Sequence, residues 1–337
     1  MESCYHRALP STLTSVRAST RPNWAEVSLS TLRHNFRVLQ QHVGPQVTIC
    51  AVVKCDAYGH GSEASALALE QEGACWFGVT STDEGVALRD AGVSSRILIL
   101  VGAFRGEEED ALRYGLTPTV SRVEDLEAVA QAAARIGARE PVPVHLKLDT
   151  GMARLGLSLS ELNNFITRVK GFPQVELEGV FSHFASAEVL DAVDARRQQE
   201  RFRGALQTVE EGGLHPRLRH LANSSATLGR PDSWYNFVRP GMAIYGYELP
   251  LMHHDGTVAS EYQPLGLIPA MSWKTRVLSL RDVPAGQALG YNGAYVTPAP
   301  ARIAVIAAGY GDGLYRRLSP GGYTLLRGQR APFLGRI

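Results

Sequence analysis

Residues 48–61 read TICAVVKCDAYGHG. A β-branched, almost wholly apolar run ends on Lys54, and the chain then turns polar and glycine-rich. Such a run is the signature of a parallel strand buried on both faces. Directly downstream, Ser62–Glu72 carries apolar residues at three-to-four spacing, which predicts a helix. The same unit of strand, loop and helix recurs outward from this point. Further strands are predicted at Trp76–Val79, Arg96–Leu100, Thr117–Val120, Val142–Leu148, Val175–Phe181, Arg217–Leu221 and Asn236–Val238, eight with the first. Helical spacing marks Thr82–Ala91, Val123–Gly137, Glu161–Val169 and Ala192–Glu211. Ser81 with Glu84, Ser121 with Glu124 and Ser158 with Glu161 read as capping boxes. Eight strands alternating with helices predict the α/β class and a (β/α)8 TIM barrel rather than an open sheet.

From about Gly266 the period changes. Ser272–Leu280, Arg302–Ile306 and Tyr323–Leu326 alternate, broken by Pro-Ala-Gly and Gly-Gly turns, which predicts a C-terminal antiparallel β domain. An early strand, Ala25–Leu29, is expected to pair with that domain. The expected division is a disordered Ser/Thr/Arg-rich tail over 1–21, a barrel over 22–263 and the β domain over 264–337.

The 337 residues are 45% apolar and 20% charged, with a net charge of +1, so a large core is available and no basic footprint for nucleic acid or anionic membrane exists. The four cysteines, Cys4, Cys50, Cys55 and Cys75, have no metal-ligand spacing. No metal is expected, and Cys50 and Cys75 read as small buried apolar groups of a protein in a reducing cytosol. No apolar run approaches the roughly 18 residues needed to cross a bilayer.

Barrels place chemistry at the C-terminal ends of their strands. Lys54 ends the first strand, where partial desolvation favours a neutral, nucleophilic amine; alone, such a lysine is more often one reaching past a strand end to solvent. HLKLDTGMARLG ends the fifth strand with Lys147 and Arg154, and FSHFASAE ends the sixth with His183. HLANSSA ends the seventh with Asn223 and Ser224, and NFVRPGMAIYG ends the eighth with Arg239, Gly241 and Met242. Small side chains and free amides after strands seven and eight are where barrels hold phosphate.

In order and spacing these strings, with RPNWAEVSLSTLRHNFR, LGYNGAYVT and AAGYGDGLYRR, resemble the alanine racemase family from about Arg21 to Ile337. The resemblance implies a cytoplasmic, pyridoxal 5'-phosphate (PLP)-dependent homodimer that interconverts L- and D-alanine and supplies D-alanine for peptidoglycan. Lys54 then resembles the lysine that bonds PLP, and Tyr58 the tyrosine on its phosphate. Arg154 resembles the arginine at the phenolic oxygen and substrate carboxylate, steadied by Lys147, a lysine that some members carbamylate. His183 resembles the histidine stacked on the pyridine ring. Asn223, Ser224, Gly241 and Met242 resemble the phosphate contacts, and Arg239 the partner of the pyridine nitrogen. Tyr291 resembles the second acid/base, acting across the dimer interface.

Against the family, the chain ends at FLGRI, ahead of a substrate-lining Met-Asp stretch and a phosphate-binding tyrosine. The expectation is therefore a truncated β domain. The competing readings are a serine or broad-specificity racemase, a related PLP decarboxylase, and a non-catalytic PLP-binding protein or inactive truncated product. Arg239 weighs against the decarboxylase, because the pyridine nitrogen of a strong electron sink is expected to have an acidic partner.

Overall fold

Eight parallel strands follow one another around a nearly closed barrel: Thr48–Val52, Trp76–Val79, Arg96–Ile99, Leu116–Val120, Val142–Asp149, Val175–Phe181, Leu218–His220 and Phe237–Val238. In this computed structural model residues 21–260, 262–319 and 321–337 are described; the expected tail, but for Arg21, lies outside the described residues. The eighth strand returns to the first in parallel register, Phe237 opposite Thr48 and Val238 opposite Ile49. Between the seventh and eighth strands a side chain completes the wall. Asn236 accepts from the Arg219 amide at 2.9 Å and donates to the Arg217 carbonyl at 2.7 Å. Beyond it the Arg239 amide donates to Ala222 O at 3.0 Å. The TIM barrel expected from the alternation is present.

The apolar layer between strands and helices follows from helix periodicity. Leu29–Val43 buries Leu32, Phe36, Leu39 and Val43 along one stripe, and Val123–Ile136 buries Leu126, Val129, Ala130 and Ala133. Fully burying a side chain of Phe36's or Leu39's size is worth roughly 1.5–3 kcal/mol. The helix Leu29–Val43 was not expected. The early strand is Asn23–Val27 rather than Ala25–Leu29, because the Ser28 side chain accepts the Thr31 amide and caps the helix there. Inside the barrel, Cys50, Trp76, Leu98 and Phe237 form a separate small cluster.

None of the three expected capping boxes forms in full, and in the first the Glu84 carboxylate takes the Thr80 and Cys55 amides instead of the Ser81 amide. Ser81 does accept the Glu84 amide at 3.2 Å. Arg122, not Ser121, stands at the N-cap position of the next helix, without a side-chain cap bond, and Ser121 donates its amide to Asp125 at 3.0 Å. Ser158 pairs with Ser160 at 2.8 Å ahead of a 3-10 turn, so its hydroxyl is diverted from the Glu161 amide. Cys75 is exposed rather than buried, because it precedes the strand that begins at Trp76.

The chain forms two units by contact, Val27–Met271 and Ser272–Ile337 with the described residues up to Glu26. In the second, Asn23–Val27 pairs with Met271–Thr275. Antiparallel pairs Val277–Val283 with Ala301–Ile306, Ala288–Leu289 with Tyr295–Val296, and Tyr323–Leu326 with Gln329–Pro332 complete it. Among the described residues no helix is long and apolar enough to cross a membrane.

Candidate active site

After Lys54 the chain makes a left-handed helical turn. Cys55, Asp56, Ala57 and Tyr58 have φ of 52, 52, 53 and 55°. Each L-residue in that conformation costs roughly 1–2 kcal/mol. The surroundings offset this. Ala57 N donates to Val53 O at 2.9 Å, Gly61 N to Asp56 O at 3.0 Å and Ser62 N to the Asp56 carboxylate at 2.7 Å. His60 Nδ1 lies 3.0 Å from Ala57 O, and its ring packs on Tyr245 with centroids 4.5 Å apart. The Cys55 amide is held by Glu84 at 2.6 Å. The turn leaves Lys54 half-buried at the barrel mouth, its Nζ 5.8 Å from the Tyr58 ring centroid. Burial pushes the Tyr58 phenol up to about 12, with Cys55 adding to it.

The loop after the fifth strand is also pinned. The Asp149 carboxylate accepts the amides of Gly151 at 2.9 Å and Ala153 at 3.0 Å. Arg154 follows, its side chain exposed. Buried Gln198 ties this loop to the next, donating to Thr150 Oγ1 at 3.4 Å and to His183 O at 2.9 Å and accepting the Ala185 amide at 2.9 Å. Arg201 donates to Thr150 O at 3.1 Å.

At the ends of strands seven and eight, Ser224 Oγ accepts the Gly241 amide at 2.9 Å, and Asn223 accepts the Ala226 amide at 3.1 Å. Met242 is half-buried beside them. A Cβ on Gly241 would run into the Tyr58 hydroxyl and meet Tyr58 Cζ at 3.0 Å, so glycine is what lets the tyrosine approach this backbone. Gly241→Ala is therefore expected to displace Tyr58. Overpacking of this kind costs about 1–3 kcal/mol, which would weaken an anion held there about 10- to 100-fold in a fluorescence titration.

Positive charge converges on this mouth. Burial and then Arg239, Arg154 and Lys54 pull the Lys147 amine down to about 8. Burial and then Arg239, Lys147, Arg154 and Lys54 hold His183 at about 3, a neutral imidazole. Lys147 Nζ donates to Leu100 O at 3.2 Å. Four cations around a neutral ring are suited to an anionic, planar ligand.

Arg239 is buried and starts a polar chain through the barrel. It donates to Ser182 O at 2.7 Å and to His220 Nδ1 at 2.8 Å, and lies 3.4 Å from His183 Nδ1. A guanidinium only donates, so His220 carries its proton on Nε2 and gives it to His145 Nδ1 at 3.0 Å. His145 Nε2 then faces Glu178 at 3.4 Å, a contact without full hydrogen-bond alignment. Glu178 takes Arg96 at 2.6 and 2.7 Å and Arg217 at 2.9 Å, beside a cavity of ≈ 300 Å³. Gly179 makes room, since a Cβ there would meet the His145 ring at 2.7 Å. Burial pushes the Glu178 carboxyl up, but the close His145 ring and the hydrogen bonds from Arg96 outweigh it and hold it at about 2. With a folded value below the usual 4.5, Glu178 contributes stability above that pH, and the contribution is lost as pH falls toward 2. Glu178→Gln is expected to flatten this limb of a thermal-unfolding series between those pH values.

Of the expected site residues, Lys54, Tyr58, Lys147, Arg154, His183, Asn223, Ser224, Arg239, Gly241 and Met242 all lie on the barrel unit at the C-terminal ends of strands one, five, six, seven and eight. Tyr291 stands on the other unit, in a 3-10 turn, 79% exposed. Glu84, Gln198, His220, His145 and Glu178 were missed; only Glu84 carried a signal, as part of a capping box. Among the described residues no group of His, Cys, Asp and Glu could hold a metal ion.

Both the barrel and the β unit have known relatives. Residues 27–249 match the family model described as alanine racemase, N-terminal domain, and residues 270–337 match alanine racemase, C-terminal domain. An alanine racemase of Syntrophobacter fumaroxidans is 39% identical over 315 residues, covering 94% of this chain and 81% of that protein. One from Geobacter sp. strain M21 is also 39% identical, covering 94% and 83%. The crystal structure of the alanine racemase from Streptomyces lavendulae superposes with a TM-score of 0.84 at 33% identity, covering 95% and 82%. That of the biosynthetic alanine racemase from Pseudomonas aeruginosa gives 0.79 at 35%, covering 94% and 84%.

Proposed function

The chain belongs to the alanine racemase family, and from that premise we propose that Lys54 and Tyr291 are the two acid–base groups that act on the α-carbon of alanine. The activity is PLP-dependent racemisation, the interconversion of L- and D-alanine. The observation that carries the site assignment is the placement of Lys54, Lys147, Arg154, His183 and Arg239 at the C-terminal ends of the barrel strands, with Arg239 3.4 Å from His183 Nδ1.

The residues present fit PLP. Ser224, Asn223, Met242 and Gly241, with the Tyr58 hydroxyl against that glycine, would hold the phosphate. His183, kept neutral, would lie on the pyridine face, and Arg239 would face the ring nitrogen. A guanidinium cannot accept a proton, so it would hold that nitrogen as an unprotonated acceptor. When bound, PLP supplies the electron withdrawal that lets the α-carbon release its proton.

The chain's own residues do the rest. Arg154 orients the carboxylate of the amino acid, and Lys147, if carbamylated to an anion, would steady Arg154. At about 8, the Lys147 amine is partly neutral near neutral pH, the form that carbamylation requires. The Lys54 amine takes or returns a proton on one face, and the Tyr291 phenol serves the other. Tyr291 comes from the second subunit of a homodimer in this reading, and the product is D-alanine for peptidoglycan in the cytoplasm.

Mixing subunits tests the arrangement. Lys54→Ala and Tyr291→Phe should each be inactive with L- and D-alanine. Reassembled in equal amounts they should recover about a quarter of wild-type activity, because half the dimers then carry one intact shared site. No recovery would place Tyr291 outside the partner's site, and an active Tyr291→Phe would remove it from catalysis. Serine assayed in parallel reads the substrate preference.

A further inference from the structure

We propose that Glu84 is a positioning residue for Lys54, acting through the left-handed turn; the inference rests on the reading of Lys54 as an acid–base group. One carboxylate gathers donors from two successive strand-end loops. Its Oε1 accepts the Cys55 amide at 2.6 Å, and its Oε2 accepts the Thr80 amide at 2.7 Å and the Thr80 hydroxyl at 3.0 Å. Cys55 directly follows Lys54 and is the first residue of the turn at positive φ.

The ladder ends just before it, where Val53 N donates to Gly78 O at 2.9 Å. The Cys55 amide therefore has no strand partner, and Glu84 supplies the acceptor. Glu84 is itself held. Ser81 Oγ takes its amide at 3.2 Å in the first turn of Thr82–Asp90. Gly85 brings that helix close, since a Cβ there would meet Leu116 Cδ1 at 2.6 Å. The sequence of a capping box thus builds something else: its glutamate crosses to the neighbouring loop instead of returning to the Ser81 amide.

This matters for the chemistry because residues 55–58 are each more stable in a right-handed conformation. Relaxation toward it would swing the Lys54 Cα–Cβ bond away from its present direction. Glu84 bonds backbone and Thr80, so its effect on the amine is through position.

The test uses Glu84→Gln, which keeps one acceptor oxygen and sets amide protons against the remaining donors. In cofactor-free protein, exchange of the amides of residues 55–61, read by mass spectrometry, is expected to quicken about tenfold. In the holoenzyme kcat is expected to fall about 10- to 100-fold with KM little changed. The isotope effect of α-deuterated alanine should rise for the one enantiomer whose α-hydrogen faces Lys54, and not for the other. Thr80→Val, which removes one donor only, should give a smaller change in the same direction and keeps the test open if Glu84→Gln fails to fold. Asp83→Asn, exposed on the same helical turn, should behave as wild type. Unchanged exchange, or isotope effects that move alike for both enantiomers, would overturn the proposal. A wild-type protein that racemises neither enantiomer would instead overturn the functional reading beneath it.

Discussion

Replacing Lys54 by alanine is expected to reduce racemisation about a thousandfold or more while leaving the fold in place. The side chain is half-buried at the barrel mouth and the left-handed turn is held by other groups, so the stability change should stay within about 1 kcal/mol. The pyridoxyl label fixed by borohydride in wild-type protein should map to Lys54 and disappear in the variant. Lys147 is the informative competitor, because burial and three cations bring its amine to about 8, well within nucleophilic range. Its Nζ, however, donates to Leu100 O at 3.2 Å and lies 5.5 Å from the Phe181 ring centroid, turned into the barrel wall. A label that moves to Lys147, or activity above a tenth of wild type, would show that the site amine has been misassigned. Added methylamine should restore part of the activity, since it replaces the amine and leaves the other base untouched.

Arg239→Met should act on stability as well as activity. Methionine fills similar volume but leaves Ser182 O, Leu221 O and His220 Nδ1 buried without their donor, at 2.7, 3.3 and 2.8 Å in the present structure. Each orphaned acceptor costs roughly 1–3 kcal/mol. Part of this is returned because the guanidinium is itself strained: burial pulls it down to about 10. A net loss of about 2–4 kcal/mol corresponds to a fall in Tm of roughly 5–15 °C for a domain of this size. Burial and then Arg239 hold His220 well below its ordinary range, so its value should also rise toward normal in the variant, visible as a shift in its ring resonances with pH. Arg239→Lys should recover little, because an ammonium cannot reach both directions of the fork. A Tm within 2 °C of wild type, on the same scale, would mean that the chain from Arg239 to Glu178 contributes no stability.

The barrel was legible because its strands are nearly continuous apolar runs and its helices carry a clear stripe. All eight strands lie where the runs lie, with ends shifted by a residue or so. Leu29–Val43 was overlooked beside the more conspicuous strand before it, although Leu32, Phe36, Leu39 and Val43 form a regular stripe. The positions of Lys54, His183, Ser224 and Arg239 were legible for a topological reason. Once the strands are counted, the residue after each one is at the C-terminal rim.

Cys-Asp-Ala-Tyr is a different case, since none of these residues asks for positive φ, and in isolation each is more stable in a right-handed turn. The left-handed turn is held by Glu84 and Tyr245, which meet it from elsewhere in the fold, together with His60 and Ser62 just downstream of it. Nor could the line from Arg239 through His220 and His145 to Glu178 be read along the chain. Its members sit on strands five to eight, up to 75 residues apart between bonded neighbours, and align only when the barrel closes. By itself the sequence determined the barrel, the rim and the identity of the groups on it, because periodicity and strand ends are local properties. The tertiary structure alone decided which backbone is held against its preference and which tautomers the buried histidines adopt, because both depend on donors and acceptors brought together only by packing.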